Sequence, residues 1–348
     1  MRSLLLSFFN ALWIDMKKED LRIIFYGSTD FSVSVLDSLL ERNWIIDAVV
    51  TLPDKIVRRH GKDMIIPNPV KECADRNSIQ VFQPENLKDP KFIQEIKDLQ
   101  PNLQIVVAFK ILPKSIWSIP VFGTLNFHPS KLPAYKGPAP VQWAIINGEE
   151  ETCISAFFLS DKGIDSGKVI AQSDPISLIF TQTEVETAEN ILEDMKLDII
   201  PQFTDYVLNL IIDKEGRPSK MPKKSFDQPE SYAPKLTKEN TKVDWNNYRD
   251  GIALHRFIQG LSSVPSAWTT MDGKEIKLIT SGGVIEGPDE EIRFIPNGTL
   301  LKKKTGIYAV VGEDLVHLEK VQPSGKRVMY AAEFWNGLPK DKEKRLGT

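Results

Sequence analysis

The chain is short of cysteine, histidine, positive charge and long apolar runs, and each shortage removes a class of function. Cys73 and Cys153 are its two cysteines in 348 residues. They have no CxxC spacing, so they supply neither a disulfide framework nor a zinc site. Its four histidines lack ligand-like spacing, and no metal is expected. Basic residues are not in excess: 44 Lys/Arg stand against 47 Asp/Glu, a formal net charge of −3. Any nucleic-acid partner therefore requires positive charge gathered on one surface. The apolar opening Leu4–Ile14 contains Asn10, is too short to span a bilayer and has no small-residue cleavage site behind it. It reads as part of an N-terminal extension, residues 1–20, that adds nothing to the fold, and no membrane partner is expected. A reducing cytoplasm suits the cysteine usage.

What is present fits a globular protein of two domains, with 41% hydrophobic and 26% charged residues. Leu21–Tyr26 reads as a buried strand, Phe31–Arg42 as a helix and Asp47–Leu52 as a second strand. That β-α-β order implies a parallel sheet. The first turn, Gly27-Ser-Thr-Asp30, has one glycine, so the three-glycine dinucleotide fingerprint is missing. Pro53–Pro69 reads as a basic surface loop containing Lys55, Arg58, Arg59 and Lys62. Helices over Val70–Asn77 and Lys91–Leu99 and strands over Val81–Gln83, Leu103–Phe109 and Phe122–Phe127 follow. Four or five parallel strands with helices on both faces are expected, a doubly wound α/β sheet.

The strand ending at Phe127 opens the most informative stretch. Asn126 and His128 are two residues apart, so in extended backbone they share a face while Phe127 faces the core. A loop rich in Pro and Gly comes next, then a helix over Pro138–Asn147 stopped by Gly148. Strands over Cys153–Leu159 and Lys168–Ser173 flank a turn, Asp161-Lys-Gly-Ile-Asp-Ser-Gly167, that carries Asp165. They are expected as an antiparallel extension of the sheet. An amide to polarise a carbonyl, an imidazole to manage a proton and a carboxylate to fix the imidazole suit transfer of an acyl-type group. Each of the three alone is more often structural. Ligands of open α/β sheets bind beyond the strands' C-terminal ends, where this set lies.

The remainder divides at a linker. Thr183–Leu210 reads as largely helical, reset near Pro201. From Lys214 to Lys242 the chain holds eight Lys/Arg and four Asp/Glu, a local net of +4, with four prolines between 218 and 234. A helix over Tyr248–Leu261 and five short strands between Ala267 and Val321 suggest a small barrel. A last helix starts at Ala331, and the Lys-rich tail beyond Pro339 is expected to be disordered.

Asn126-x-His128-Pro-Ser130-x-Leu132-Pro133, Gly137-x-x-Pro140, Gly148 and Asp165-Ser-Gly167 together resemble the signature of the formyltransferases that use 10-formyltetrahydrofolate. The resemblance runs from about Leu21 to Lys340. It implies a Rossmann-like formyltransferase domain over 21–213, a basic linker over 214–240, an OB-like tRNA-binding domain over 241–340 and a tail over 341–348. It implies Asn126, His128 and Asp165 as catalytic residues. Ser130, Lys131, Leu132 and Pro133, with Phe109 and Ile111, are implied as contacts of the folate donor, although Lys131 replaces a usual leucine. The Asp161 segment is one residue longer than usual, and the Asp-Ser-Gly match favours Asp165 over Asp161. Lys55, Arg58, Arg59 and Lys62, with Lys223 and Lys224 of the linker, are implied as tRNA contacts. The implied acceptor is the methionine amine of initiator methionyl-tRNA, and the implied state is a cytoplasmic monomer. Formyl transfer to a small amine, hydrolysis of the formyl donor, and RNA binding without catalysis remain open. So does the protonation form in which His128 acts.

Overall fold

A computed structural model describes residues 16–59, 62–178, 187–215, 229–248, 250–262, 264–287, 290–340 and 343–348. It contains two compact units. The first gathers the chain up to Lys136 with Cys153–Asp174 and Asp194–Glu230; the second gathers Gly137–Thr152, Pro175–Glu193 and Ser231–Thr348.

In the first unit, β1 (Ile23–Gly27), α1 (Asp30–Glu41) and β2 (Ile46–Val50) form the expected β-α-β start. The Thr29 side chain accepts from Ser32 N and caps α1. A two-stranded ribbon follows, β3 (Lys55–Arg59) paired with β4 (Lys62–Ile66). Then come α2 (Pro69–Arg76), β5 (Gln80–Phe82), α3 (Pro90–Asp98), β6 (Leu103–Val107), α4 (Lys114–Trp117) and β7 (Thr124–His128). Helix α5 (Pro140–Asn147) and β8 (Glu151–Thr152) belong to the second unit, and the chain returns with β9 (Ser155–Phe158) and β10 (Lys168–Gln172). Strand β11 (Ile176–Ser177) pairs with β8. Helix α6 (Ala188–Asp194) lies in the second unit up to Glu193, and the first unit resumes with a π-helical turn over Met195–Ile199 and α7 (Ile200–Asp213), so the reset ahead of Pro201 takes the form of a π turn.

The main sheet has the order β10-β9-β7-β6-β1-β2-β5. Its five strands from β5 to β7 are parallel, and β9 and β10 add antiparallel, as the sequence suggested. One face buries Ile24, Tyr26, Val50 and Val106 against Phe92, Ile96 and Ile116 of α3 and α4. Helix α1 lies against β1 and β6. Helices on opposite faces of a parallel sheet leave little room for polar strand positions, and β1 and β6 are buried throughout.

Three expectations need correction. The basic loop after Pro53 is a hairpin. Its runs Lys55-Ile-Val-Arg-Arg59 and Lys62-Asp-Met-Ile-Ile66 carry β-branched residues whose strand signal was hidden by the charges. Its feet are pinned together: Asp54 accepts from Asn68 N, Lys71 Nζ and Gln83 Nε2 at 3.1, 2.6 and 2.8 Å. The Lys71 and Gln83 hydrogen bonds hold the Asp54 carboxyl down at about 2. The second correction is the stretch ahead of β1. Over its described part Met16 is buried, and Lys18 reaches the carbonyl of Arg42 and the carboxylate of Asp205. The third is the C-terminal tail. Leu346 is buried and its N–H donates to Gly298 O at 2.8 Å, while Leu300 N donates to Lys344 O at 2.7 Å.

In the second unit, α8 (Gly251–Gly260) covers a sheet of β12 (Ala267–Met271), β13 (Lys274–Ile285), β14 (Leu300–Lys303), β15 (Gly306–Val311), β16 (Asp314–Pro323) and β17 (Met329–Tyr330). The order is β12-β13-β16-β15-β14, with β17 on β16, and among the described residues the pairing does not close into a ring. Helix α9 (Ala331–Asn336) follows. Trp245, Leu254, Ile258, Leu278, Ala309 and Val316 are among the core residues. Helix α5 ends as expected at Gly148, whose φ of +80° suits glycine, and packs against α8. Among the described residues, no helix is long and apolar enough to cross a membrane.

His255 on α8 is buried with Nδ1 2.8 Å from Ser281 Oγ, and its Nε2 has no hydrogen-bond partner among the described residues. Burial, then the adjacent Arg256, push its pKa down to about 4. The unfolded chain takes up this proton near pH 6.5, the folded one only near 4, so stability falls as pH drops between them. The expected contribution is about 3 kcal/mol. Urea unfolding at pH 7 and pH 4.5 should show a larger loss for the wild type than for His255→Gln. Equal losses would contradict the assignment.

Candidate active site

Strand β7 carries the centre of the site. Phe127 is buried and meets Phe203 of α7 edge to face, with ring centroids 5.9 Å apart. Asn126 and His128 take the opposite side of the pleat. Asn126 is half-buried and His128 is buried. Both stand at the C-terminal edge of the parallel strands, on the strand next to β6, and the order reverses between β6 and β1.

Beyond His128 the chain folds back as a braced loop. Ser130 N donates to His128 O at 2.8 Å, and Ser130 Oγ donates to Ala134 O at 2.8 Å. Ser155, the register partner of His128 on β9, donates through Oγ to Ser130 O at 2.6 Å. Gln172 of β10 donates to Leu132 O and to Ser155 Oγ at 3.2 and 3.0 Å. The side chains of Ser130 and Leu132 are thus turned inward to hold the loop, while Lys131 and Pro133 stay half-buried. After β6, Phe109 packs against Tyr26, and Ile111 is 76% exposed.

Asp165 arrives from the turn between β9 and β10. Its Oδ2 lies 3.7 Å from Nδ1 of His128, with 13% and 8% of the two side chains exposed. Asp161 is instead paired with Lys114 at 2.5 Å, so the structure brings Asp165, not Asp161, to the histidine. Asp165 has φ +48°, a left-handed conformation that costs a non-glycine residue about 1–3 kcal/mol unless its surroundings enforce it. Two residues on, the turn packs closely at Gly167, where an added Cβ would run into the carbonyl oxygen of Phe158. Ser166 accepts a hydrogen bond from Lys136 Nζ at 2.9 Å and donates to Ile164 O at 2.9 Å.

The other ring nitrogen of His128, Nε2, is 2.9 Å from the carbonyl oxygen of Tyr135. A carbonyl can only accept, so Nε2 carries the hydrogen. In the neutral ring the lone pair is then on Nδ1, which faces Asp165. The geometry therefore offers a proton acceptor with a carboxylate beside it and an amide donor on the same strand face. This set can neutralise an oxyanion and remove a proton during addition to a carbonyl carbon.

Sequence reasoning missed Tyr135, Lys136, Ser155 and Gln172. The last two left a trace, as polar residues at the ends of the apolar runs of β9 and β10. Tyr135 acts through its backbone carbonyl, and Lys136 through a long side chain, so neither left one. The basic residues named from the sequence fall in two places. Lys55, Arg58 and Lys62 are exposed on the β3–β4 ribbon, where Arg58 stands 3.9 Å from Asp63. The Arg59 side chain, Lys223 and Lys224 lie outside the described residues.

Comparison with known proteins gives consistent results. A family model described as formyl transferase matches residues 21–204, and one for the formyl transferase C-terminal domain matches 235–339. A methionyl-tRNA formyltransferase of Parabacteroides distasonis is 36% identical, covering 95% of this chain and 100% of its own. One from Flavobacterium johnsoniae is 37% identical, covering 92% and 97%. Among solved structures, HypX from Aquifex aeolicus in complex with tetrahydrofolic acid superposes with TM-score 0.56 at 20% identity, over 93% of this chain and 50% of its own. A sugar N-formyltransferase from Shewanella superposes with TM-score 0.55 at 15% identity, over 76% and 99%. At these identities the structural likeness is one of fold.

The close approach at Gly167 yields a direct test of the turn geometry. Gly167→Ala should destabilise the first unit by about 1–3 kcal/mol, because backbone rather than a flexible side chain must move. A urea midpoint unchanged from wild type would show that the turn is not held as described.

Proposed function

The chain belongs to the formyl transferase family and carries out formyl transfer, and from that premise we propose that it formylates the methionine of initiator methionyl-tRNA with 10-formyltetrahydrofolate as donor. The observation that carries this reading is the match to relatives named methionyl-tRNA formyltransferase along nearly their whole length, including the C-terminal family model at 235–339. An acceptor of small size gives no reason for that second part or for an exposed basic ribbon.

In this proposal the methionine nitrogen attacks the formyl carbon. A C–N bond forms, and negative charge builds on the formyl oxygen. Asn126 donates to that oxygen. The attacking nitrogen passes its proton to Nδ1 of His128, and Asp165 balances the imidazolium. The bond from the formyl carbon to N10 of the folate then breaks, and N10 takes up a proton. Asn126 and His128 accordingly act on different atoms of one intermediate.

The loop after β7 and the segment after β6 fit the folate. Half-buried Phe109 and exposed Ile111 offer apolar cover for a flat heterocycle. Within the stretch 130–133, Lys131 and Pro133 are the side chains left at the surface, while Ser130 and Leu132 contribute through the loop they brace.

For the tRNA, Lys55, Arg58 and Lys62 share the ribbon with exposed Ile56 and Ile65, and Arg59, Lys223 and Lys224 belong to the same proposed set. In the second unit Lys238 and Lys242 lie over the Trp268 ring, 4.9 and 5.3 Å from its centroid. Such basic and aromatic pairing suits phosphate and base contact. On this reading the C-terminal sheet is an OB-like module and the linear division is 1–20, 21–213, 214–240, 241–340 and 341–348. The protein acts as a monomer in the cytoplasm.

Mass spectrometry of initiator methionyl-tRNA incubated with enzyme and 10-formyltetrahydrofolate tests the reading, and formyl-methionine is the expected product. An absence of product, with formyl transfer to a small amine or release of formate instead, would overturn it. Asn126→Ala should lower kcat by about 10²- to 10³-fold, the range for losing an oxyanion donor. Retained kcat would remove Asn126 from that role. Charge reversal at Lys55, Arg58 and Lys62 should reduce the log–log salt slope of tRNA binding by roughly 0.7–0.9 for each phosphate that is no longer neutralised. An unchanged slope would take the ribbon out of the interface.

A further inference from the structure

Lys136 is a lysine with little access to water. Its residue is 9% exposed and its side chain 11%. An ammonium in such a place needs partners to offset lost hydration. Two are present: Ser166 Oγ at 2.9 Å and Glu230 Oε1 at 2.7 Å. Glu230 is 70% exposed at its side chain, so its pairing is screened. The Ser166 contact is part-buried, and Ser166 directly follows Asp165.

The residue before Lys136 is Tyr135, whose carbonyl receives the Nε2 hydrogen of His128 at 2.9 Å. Tyr135 and Asp165 are both in the left-handed region, with φ of +57° and +48°. One dipeptide therefore touches both sides of the His128–Asp165 pair. Its carbonyl sets which imidazole nitrogen faces the carboxylate, and its ammonium holds the turn from which the carboxylate projects.

We propose that Tyr135–Lys136 is a positioning element, in which the Lys136 ammonium anchors the Asp165 turn through Ser166 while the Tyr135 carbonyl commits Nε2 of His128. Lys136 does not touch a reacting atom. Its contribution is to keep the carboxylate opposite Nδ1 in a backbone conformation that the turn does not favour by itself. Arginine retains the reach and the donor hydrogens, and methionine retains only the apolar stem.

The inference rests on the formyl-transfer reading, and two measurements separate the failure of one from that of the other. In steady-state formyl transfer, Lys136→Met should lose about 10- to 10²-fold in kcat, the scale expected for an ångström-level displacement of a catalytic group. KM values for donor and acceptor should stay near wild type, and Lys136→Arg should recover most of the loss. Hydrogen exchange of the segment 160–167, followed by mass spectrometry, should be faster in Lys136→Met than in wild type and near wild type in Lys136→Arg. The exchange readout judges the anchor even if the wild type formylates nothing. Unchanged exchange in Lys136→Met would overturn the inference, as would unchanged kcat in an active enzyme. A loss of kcat that arginine does not restore, or a matching rise in KM, would also count against it.

Discussion

The backbone carbonyl of Tyr135 lies 2.9 Å from Nε2 of His128, and the proposed chemistry of the site depends on that contact. It fixes the hydrogen on one ring nitrogen and leaves the other to face Asp165 at 3.7 Å. Were the tautomer reversed, Nδ1–H would point at the carboxylate and Nε2 would press a lone pair against a carbonyl oxygen. The ring would then have no lone pair at Nδ1 for the nucleophile's proton. A histidine beside an aspartate resembles an ordinary ion pair; the carbonyl on its far side selects which nitrogen of the neutral ring is left with a lone pair.

That contact exists because the chain reverses after β7, and the reversal is expensive in polar backbone. Groups between Pro129 and Lys136 lie off the main sheet and are met partly within the loop and partly by side chains from the two antiparallel strands. Ser155 and Gln172 supply the braces at Ser130 and Leu132. The parallel part of the sheet provides a buried, rigid base, and the antiparallel addition provides the polar groups that shape the loop. Two left-handed residues, Tyr135 and Asp165, sit where this loop and the β9–β10 turn meet.

Much of the fold was legible in the sequence because burial leaves a simple mark. Runs such as Ile23–Tyr26 and Leu103–Val107 show little or no polar alternation, as strands covered on both faces require. Asn126, His128 and Asp165 were legible as a set through their spacing and the family signature around them. The ribbon after Pro53 was not, because Lys55, Arg58, Arg59, Lys62 and Asp63 break its apolar pattern and Ile56, Ile65 and Ile66 stay exposed. The C-terminal tail was misread because composition marks disorder well only when nothing buries a residue such as Leu346. Tyr135 was illegible in principle: a carbonyl is the same at every position, and only the fold says which one meets a histidine.

Nitrogen-15 NMR of the imidazole of His128 in the free enzyme at neutral pH tests the tautomer most directly. The expected result is a hydrogen on Nε2 and, in the neutral ring, a bare Nδ1. A neutral ring protonated at Nδ1 would contradict it, since the carbonyl of Tyr135 could not then hold Nε2, and Nδ1 could not accept the proton that formyl transfer releases.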